Sequence, residues 1–471
     1  MKKYILFISV LVLLCIIKSY GQQIETQGFR AAAGQSIITP PMGTYMVEPQ
    51  AARAAGVHDD LYLRLVVMEA GDEAVVIVSY DLVGLDLAFA GRIRQAINEE
   101  TGIPAENIML NCTHAHNVPI SLDLGGDRSK RNREWEKVLQ EKTVATIAKA
   151  YGRLKPATMS VGSDSVQVAF NRRLMMFNRA KMRPNPFGPV VKQVQAVKIE
   201  IGQGSSAVLF TYPAHPVAVH AESAEFTADF PGFAIEAIRE EMGPNTIPVF
   251  LQGCAGDINV DPLRGGYEAA AQVGNSLGKS VLDALAQPES VRVKKVATAS
   301  EKFFLPYRPI RPEVAEKVVL RVEEGMAALQ AADADTIEIL DQQDVLHWAR
   351  RLHHIAENPD KNPGLPFEMQ VFAFNKDFAM IAFTHELFVE YQLYIQENSP
   401  FKHTLVLAYT NGNAAYVPTA DAFYLNGYEV HGAQHRYGSP YLSPESDEMI
   451  KEKALSVLNA LYTQYERKRI D

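Results

Sequence analysis

The sequence predicts an α/β or α+β fold, with mixed β-sheets and flanking helices in a single large domain. Three observations predict it. β-rich apolar runs alternate with stretches of helical periodicity, two pairs of such runs flank a tight turn, and neither an internal repeat nor a Pro/Gly/Ser-rich linker divides the chain. With 471 residues, 47% of them hydrophobic and 21% charged, the chain can bury a large core.

Residues 61–68 and 74–80 are β-rich around Ala70-Gly71-Asp72-Glu73, which predicts a hairpin ending at Asp81. Helical periodicity over 88–100, a strand over 107–112 and a helix over 133–151 follow. Strands are predicted at 157–162, 191–201, 206–212 and 247–251, with helices at 231–241 and 267–286. Arg311-Pro312 opens two helical stretches between 313 and 357, because proline suits the first turn of a helix. A second hairpin pairs 369–374 with 378–383 around Asn375-Lys376-Asp377, and a helix over 449–464 closes the chain.

Lys2-Lys3, the apolar run 4–17 and Ser19-Tyr20-Gly21 predict a signal peptide over 1–21 and an exported mature protein, periplasmic or extracellular. The apolar run is short for a membrane span of about 20 residues, so stable membrane insertion is not expected. Leu14 precedes Cys15 where a lipidation site wants a small residue, so cleavage without lipid is the expectation. Two cysteines then remain, Cys112 and Cys254, which do not make a disulfide framework and read as buried thiols. A net charge of −9, with basic residues scattered apart from Arg467-Lys468-Arg469, excludes a nucleic-acid partner.

The richest motif is Asn111-Cys112-Thr113-His114-Ala115-His116-Asn117, directly after the apolar run 108–110. On an extended backbone, side chains two residues apart point to the same side, so His114 and His116 can face one metal or substrate together. Further polar residues also follow predicted strands, where α/β proteins place their sites. His215 lies in Tyr212-Pro213-Ala214-His215-Pro216, and Asp257 and Asn259 in the small-residue loop Gln252-Gly253-Cys254-Ala255-Gly256-Asp257-Ile258-Asn259. Glu386 lies in Thr384-His385-Glu386-Leu387. Imidazoles and a carboxylate suit zinc, which lowers the pKa of a bound water to about 7. The chain lacks a His-Glu-x-x-His helix and a Gly-x-Gly-x-x-Gly loop, and its one Gly-x-Ser-x-Gly match, Gly274-Asn275-Ser276-Leu277-Gly278, falls inside the helix predicted at 267–286 rather than at a strand-to-helix elbow, which argues against serine hydrolases and nicotinamide enzymes.

The ordered set of motifs resembles the neutral/alkaline, non-lysosomal ceramidases and their bacterial relatives, which are zinc amidases. It runs from Ile38-Thr39-Pro40-Pro41-Met42-Gly43 through His58-Asp59-Asp60-Leu61-Tyr62, Ser79-Tyr80-Asp81 and Thr113-His114-Ala115-His116. It continues through Asn171-Arg172-Arg173, Tyr212-Pro213-Ala214-His215, Ala228-Asp229-Phe230-Pro231-Gly232, the 252–259 loop, Glu386 and Tyr416. The resemblance implies one zinc ion per chain held by His114, His215, Glu386 and Tyr416. It implies that His116, Arg172 and Tyr428, twelve residues beyond Tyr416, act on the substrate. Chemistry agrees: His116 can exchange a proton, Arg172 offers a fixed positive fork, and the Tyr428 hydroxyl can donate.

Two departures qualify the resemblance. The family carries a serine in the small-residue loop, held to be the nucleophile or a close partner of the zinc water; here Asn259 stands there, and asparagine cannot form an acyl-enzyme. Asn259 and Asp257 would instead orient substrate or water. The family also extends into a C-terminal immunoglobulin-like domain, so residues 22–471 correspond to the hydrolase domain without that module. The segment Tyr428-Glu429-Val430-His431 and its polar continuation to Arg436 place His431 beside the expected pocket and suit a soluble amide, ester or sugar better than a sphingoid chain. The leading expectation is a secreted zinc hydrolase cleaving an amide or ester of a small-molecule, lipid or glycan-derived substrate. A carbohydrate deacylase, or another glycan-active enzyme with the same metal, is the alternative enzyme. A non-catalytic binding protein with a structural metal is the alternative of another class.

Overall fold

A computed structural model describes residues 28–50, 52–124 and 130–466; the signal peptide over 1–21 and the basic run Arg467-Lys468-Arg469 lie outside the described residues. The architecture is the mixed α/β arrangement anticipated from the sequence, built as two sheets face to face with helices on both outer faces.

The larger sheet runs in the order Thr246–Gln252, Ser205–Tyr212, Gln193–Ile201, Lys155–Ser165, Phe29–Ile37, Tyr62–Ala70, Glu73–Tyr80, Ile108–Cys112, with Glu289–Val291 added beside Lys155–Ser165. Its two terminal pairings are parallel and the rest antiparallel. The second sheet orders Ala297–Leu305, Leu365–Ala373, Phe378–Phe383 and His403–Leu407, the last pair parallel. Val66, Met68, Ile77, Met109, Val197, Leu209 and Leu251 of the first sheet pack on Phe372, Met380, Leu405 and Leu407 of the second. Strands buried on both faces explain why the sequence shows continuous apolar runs rather than strict alternation.

Both predicted hairpins form. Tyr62–Ala70 pairs with Glu73–Tyr80 across a turn in which Gly71 takes φ 68°, and Leu365–Ala373 pairs with Phe378–Phe383. The helix Leu87–Thr101 starts where Asp86 accepts from the Phe89 N–H at 2.7 Å and stops at left-handed Gly102. Together with Arg133–Tyr151 it covers one outer face, while Asp229–Met242 and Gly266–Ala284 cover another part of the same sheet. Pro312–Ala331 and Thr336–Glu357 form the two-helix excursion that Arg311-Pro312 announces, and Trp348 from it donates to Ser439 O at 3.0 Å. Val389–Asn398 and Glu445–Glu466 back the second sheet. Among the described residues no helix is long and apolar enough to cross a membrane.

One buried side chain gathers the strand ends that carry the site. Asn111 donates to Ala408 O at 2.8 Å and to Thr410 Oγ1 at 3.0 Å, and accepts from Gln252 N–H at 2.9 Å. It therefore ties the C-terminal ends of Ile108–Cys112, Thr246–Gln252 and His403–Leu407 to one point, beyond which the loops converge.

Candidate metal centre

His114 follows the strand Ile108–Cys112, His215 follows Ser205–Tyr212, and Glu386 follows Phe378–Phe383. Glu386 and Tyr416 stand side by side because the short strand Glu386–Leu387 pairs in parallel with Tyr416–Val417, in register. The small-residue loop packs directly on this ladder: a Cβ on Gly256 would lie 2.7 Å from Glu386 O and 2.9 Å from Leu387 O, so only glycine fits. His114 and His116 share one side, as the spacing suggested, but not through an extended strand. His114 takes a left-handed φ of 67°, and the turn rather than the pleat brings the two rings to 5.1 Å. His385, Tyr409 and Asn411 share that unusual backbone region, so conformational strain gathers around the site.

The proton arrangement is the informative part. His114 Nδ1–H donates to Val83 O at 2.6 Å, and His215 Nδ1–H donates to Ala255 O at 2.7 Å. Each neutral ring is thereby left with a bare lone pair on Nε2. Those lone pairs face the same anionic oxygen, Glu386 Oε2, at 3.2 Å from His114 and 3.3 Å from His215. His114 Nε2 has no hydrogen-bond partner, and neither ring nitrogen of His116 has one. Lone pairs aimed at a carboxylate repel unless a cation stands between them. Nδ1 atoms pinned to backbone carbonyls are also the usual support behind metal-binding imidazoles.

Burial, and then the Arg172 charge, push the His215 imidazole down to about 4, so a proton does not readily supply that cation. Burial alone would raise the Glu386 carboxyl; positive charge on its imidazole side holds it well below the usual carboxylate range, and with both rings neutral a bound cation would supply that charge. Ligand atoms of His114, His116 and His215 all lie within 4.8 Å of one another. The donor set thus fits a borderline-soft divalent metal such as zinc. Tyr416 OH is 3.2 Å from His215 Nε2 and accepts from Arg172 Nη2 at 3.2 Å. Burial, followed by the Glu386 carboxylate, pushes its hydroxyl well above the usual range, a direction that a bound cation would reverse.

These groups line a cavity of about 400 Å³. His116, Arg172, Tyr428 and Asn259 also line it, as anticipated. Arg172 is buried rather than a surface ion-pair residue: Nε donates to Glu429 at 2.9 Å, Nη1 to Asn259 Oδ1 at 2.9 Å, and Nη2 to Gly256 O at 2.8 Å and to Tyr416. Of its five N–H groups one on Nη1 is left for a ligand.

Two anticipated substrate contacts fall elsewhere. Asp257 does not line the cavity: Asn171 donates to its Oδ2 at 2.6 Å and Val389 N–H to its Oδ1 at 2.9 Å, so it pins two loops together. His431 borders a neighbouring depression instead, with Arg179, Lys181 and Tyr428. Cys112 and Cys254 are both buried and unpaired. Arg436, the end of the polar segment expected beside the pocket, lines the cavity, and Tyr437, Glu48, His220 and Arg264 line it without having been singled out. Glu48, His116 and His220 form a second group of convergent ligand atoms at the outer end, and the pairing of Glu48 with Arg436 at 3.5 Å places a positive charge beside it.

The architecture is a two-sheet α/β scaffold whose converging strand ends carry a His/Glu cluster that could hold a metal ion. No family model and no curated protein matches the sequence. Among solved structures the chain is similar to the neutral ceramidase from Pseudomonas aeruginosa, with a TM-score of 0.68 at 18% identity over 93% of this chain and 75% of that one. It is similar also to a ceramidase complexed with C2, with a TM-score of 0.67 at 17% identity over 93% of this chain and 76% of that one. The chain therefore has the neutral ceramidase fold.

Proposed function

We propose that this chain is an exported, zinc-dependent hydrolase of the neutral ceramidase-like family, cleaving an amide or ester bond. The observation that carries the reading is the pair of unprotonated Nε2 atoms of His114 and His215 directed at Glu386 Oε2 at 3.2 and 3.3 Å. Residues 22–471 would be the hydrolase domain. His114, His215, Glu386 and Tyr416 would hold one zinc ion, which when bound supplies Lewis acidity and a water acidified to near neutrality.

The chain's own residues do the rest. Burial, and then the neighbouring His114, His220 and His215, keep His116 well below its ordinary value, so it is a neutral base able to take a proton from water and return it to the leaving group. The free N–H of Arg172 and the Tyr428 hydroxyl are placed to stabilise charge on the carbonyl oxygen. Asn259 steadies the guanidinium from the other side. The substrate amide or ester would enter the cavity that these groups line.

The test is a hydrolysis screen of the zinc-loaded mature protein against N-acyl lipids, acyl amino acids and N- or O-acetylated sugars, with metal content measured in parallel. Turnover by wild type that is lost with the metal in His114→Ala and His215→Ala is the expected result. Full zinc content in both variants would show the ligand assignment to be wrong.

A further inference from the structure

The hairpin beside the cavity carries features that the reaction does not use. Its strands, Ala169–Met176 and Arg179–Asn185, are joined by Phe177 and Asn178, both in left-handed conformation. Phe177 is 94% exposed and Phe187, just beyond the second strand, 93% exposed; Met175 and Met182 are also exposed. Large aromatic side chains held almost wholly in water are uncommon unless something covers them.

Charge is distributed just as unevenly. From 165 to 199 there is no Asp or Glu, while Arg172, Arg173, Arg179, Lys181, Arg183, Lys192 and Lys198 all fall within those 35 residues of a chain whose net charge is −9. Arg172 and Arg173 are spent on Glu429, and Lys198, on the strand Gln193–Ile201 of the larger sheet, on Glu200 at 2.8 Å. Among the described residues, the side chains of Arg179, Lys181 and Arg183 have neither a hydrogen-bond nor an ion-pair partner. Arg179, Lys181 and Arg183 are left together on the second strand of the ribbon.

The order along the ribbon is apolar tip first, cations behind. Arg179 pairs with Met176 in the first rung behind the turn and Lys181 with Leu174 two residues further back, so at a rise of about 3.3 Å per residue these cations follow Phe177 by roughly 3 to 10 Å, within the depth over which an interfacial segment meets headgroups. The ribbon also belongs to the mouth of the site. Met182 lines the catalytic cavity, and Arg179, Lys181 and Met182 border the adjoining depression with Tyr428. Tyr424, 80% exposed, is on the neighbouring helix Ala420–Leu425.

We propose that the tip of the hairpin spanning 169–185 docks on an anionic lipid surface and holds the cavity mouth against it. Phe177 enters the apolar boundary, while Arg179, Lys181 and Arg183 behind it meet phosphate headgroups. This is peripheral attachment, and it stands independently of which bond the site cleaves.

Flotation of the mature protein with phosphatidylcholine vesicles, with and without about 30 mol% phosphatidylglycerol, tests it. Binding to the anionic vesicles, weakened by added salt, is expected. Phe177→Asn, which suits the left-handed backbone, should lower the partition coefficient about tenfold. Arg179→Ser and Arg183→Ser should each lower it about fivefold on anionic vesicles only. Leu320→Ser, at an exposed position of the remote helix Pro312–Ala331, should change nothing. Absence of binding, equal binding to both vesicles, or binding indifferent to the hairpin variants overturns the proposal. A dimer in sedimentation velocity that Phe177→Asn dissolves would assign the ribbon to a second copy of the chain instead, and overturn it too.

Discussion

The Tyr437 hydroxyl donates to Oε1 of Glu386, leaving Oε2 turned toward the two histidines. Asn413 Nδ2 supports the same oxygen at 3.4 Å. Such a contact fixes the carboxylate's rotation without touching the metal, and losing one of this kind typically costs about 10- to 100-fold in metal affinity. Tyr437→Phe should therefore fold normally and bind zinc about 10- to 100-fold more weakly in a chelator competition titration. Unchanged affinity would mean that Asn413, Tyr409 and the backbone ladder with Tyr416 orient Glu386 without Tyr437.

Glu429 is a buried hub rather than one half of a pair. Its Oε1 accepts from Arg172 at 2.9 Å and its Oε2 from Arg173, and the attraction of the two guanidinium groups outweighs burial to hold the carboxyl below its ordinary range. Removing one charge from a buried ionic group strands the others at a cost of about 3–5 kcal/mol. Glu429→Gln should lower the unfolding free energy by about that amount in urea titration. Glu134→Gln, in the exposed pair with Lys137, is the control, and should leave the midpoint within measurement error.

Asn259 lies beside His215 through a parallel bridge and accepts from Arg172 at 2.9 Å. An amide side chain is not a nucleophile toward an acyl group, so turnover should show no burst and no acyl adduct in intact-mass spectra with a slow ester. Asn259→Ser is too short to reach Arg172, so it should keep its zinc while kcat falls about tenfold or more from the freed guanidinium. An acyl adduct on the wild-type protein would move the nucleophile to another residue.

The strand ends were legible because the strands are buried on both faces: 108–110, 208–212 and 249–251 read as unbroken apolar runs, and a polar residue just beyond each stands out. Topology then did what sequence spacing could not, bringing His114, His215 and Glu386 to one point. Tyr437 and His220 were not legible, because each reaches the cavity from a single helical turn whose sequence has no period. Asp257 shows the opposite failure. A carboxylate in a glycine-containing loop looks functional, but only the fold shows that it turns away to Val389 N–H and Asn171. The hairpin at 169–185 escaped notice because its register slips between Asn171 and Arg173 and its tip exposes apolar residues that alternation would bury.

His385 sets a pH dependence of stability. Its Nε2–H donates to Pro366 O at 2.7 Å and its Nδ1 accepts from Ala414 N–H at 3.1 Å, so the neutral tautomer is required on both sides. A proton on Nδ1 would face another donor. Burial pushes the group down to about 4, while the Pro366 carbonyl and Glu386 offset part of that fall. In the unfolded chain the same imidazole titrates near 6.5. With the folded value depressed, the unfolded state takes up the proton first. Stability is whole above about pH 6.5 and is lost as the pH falls from there toward 4. Between pH 7 and pH 5 this one group should remove about 2 kcal/mol of unfolding free energy. Urea titrations at the two pH values measure the loss, and His385→Gln, which cannot titrate, should show a correspondingly smaller difference. If wild type and His385→Gln lose stability equally over this range, the acid sensitivity belongs to other buried groups.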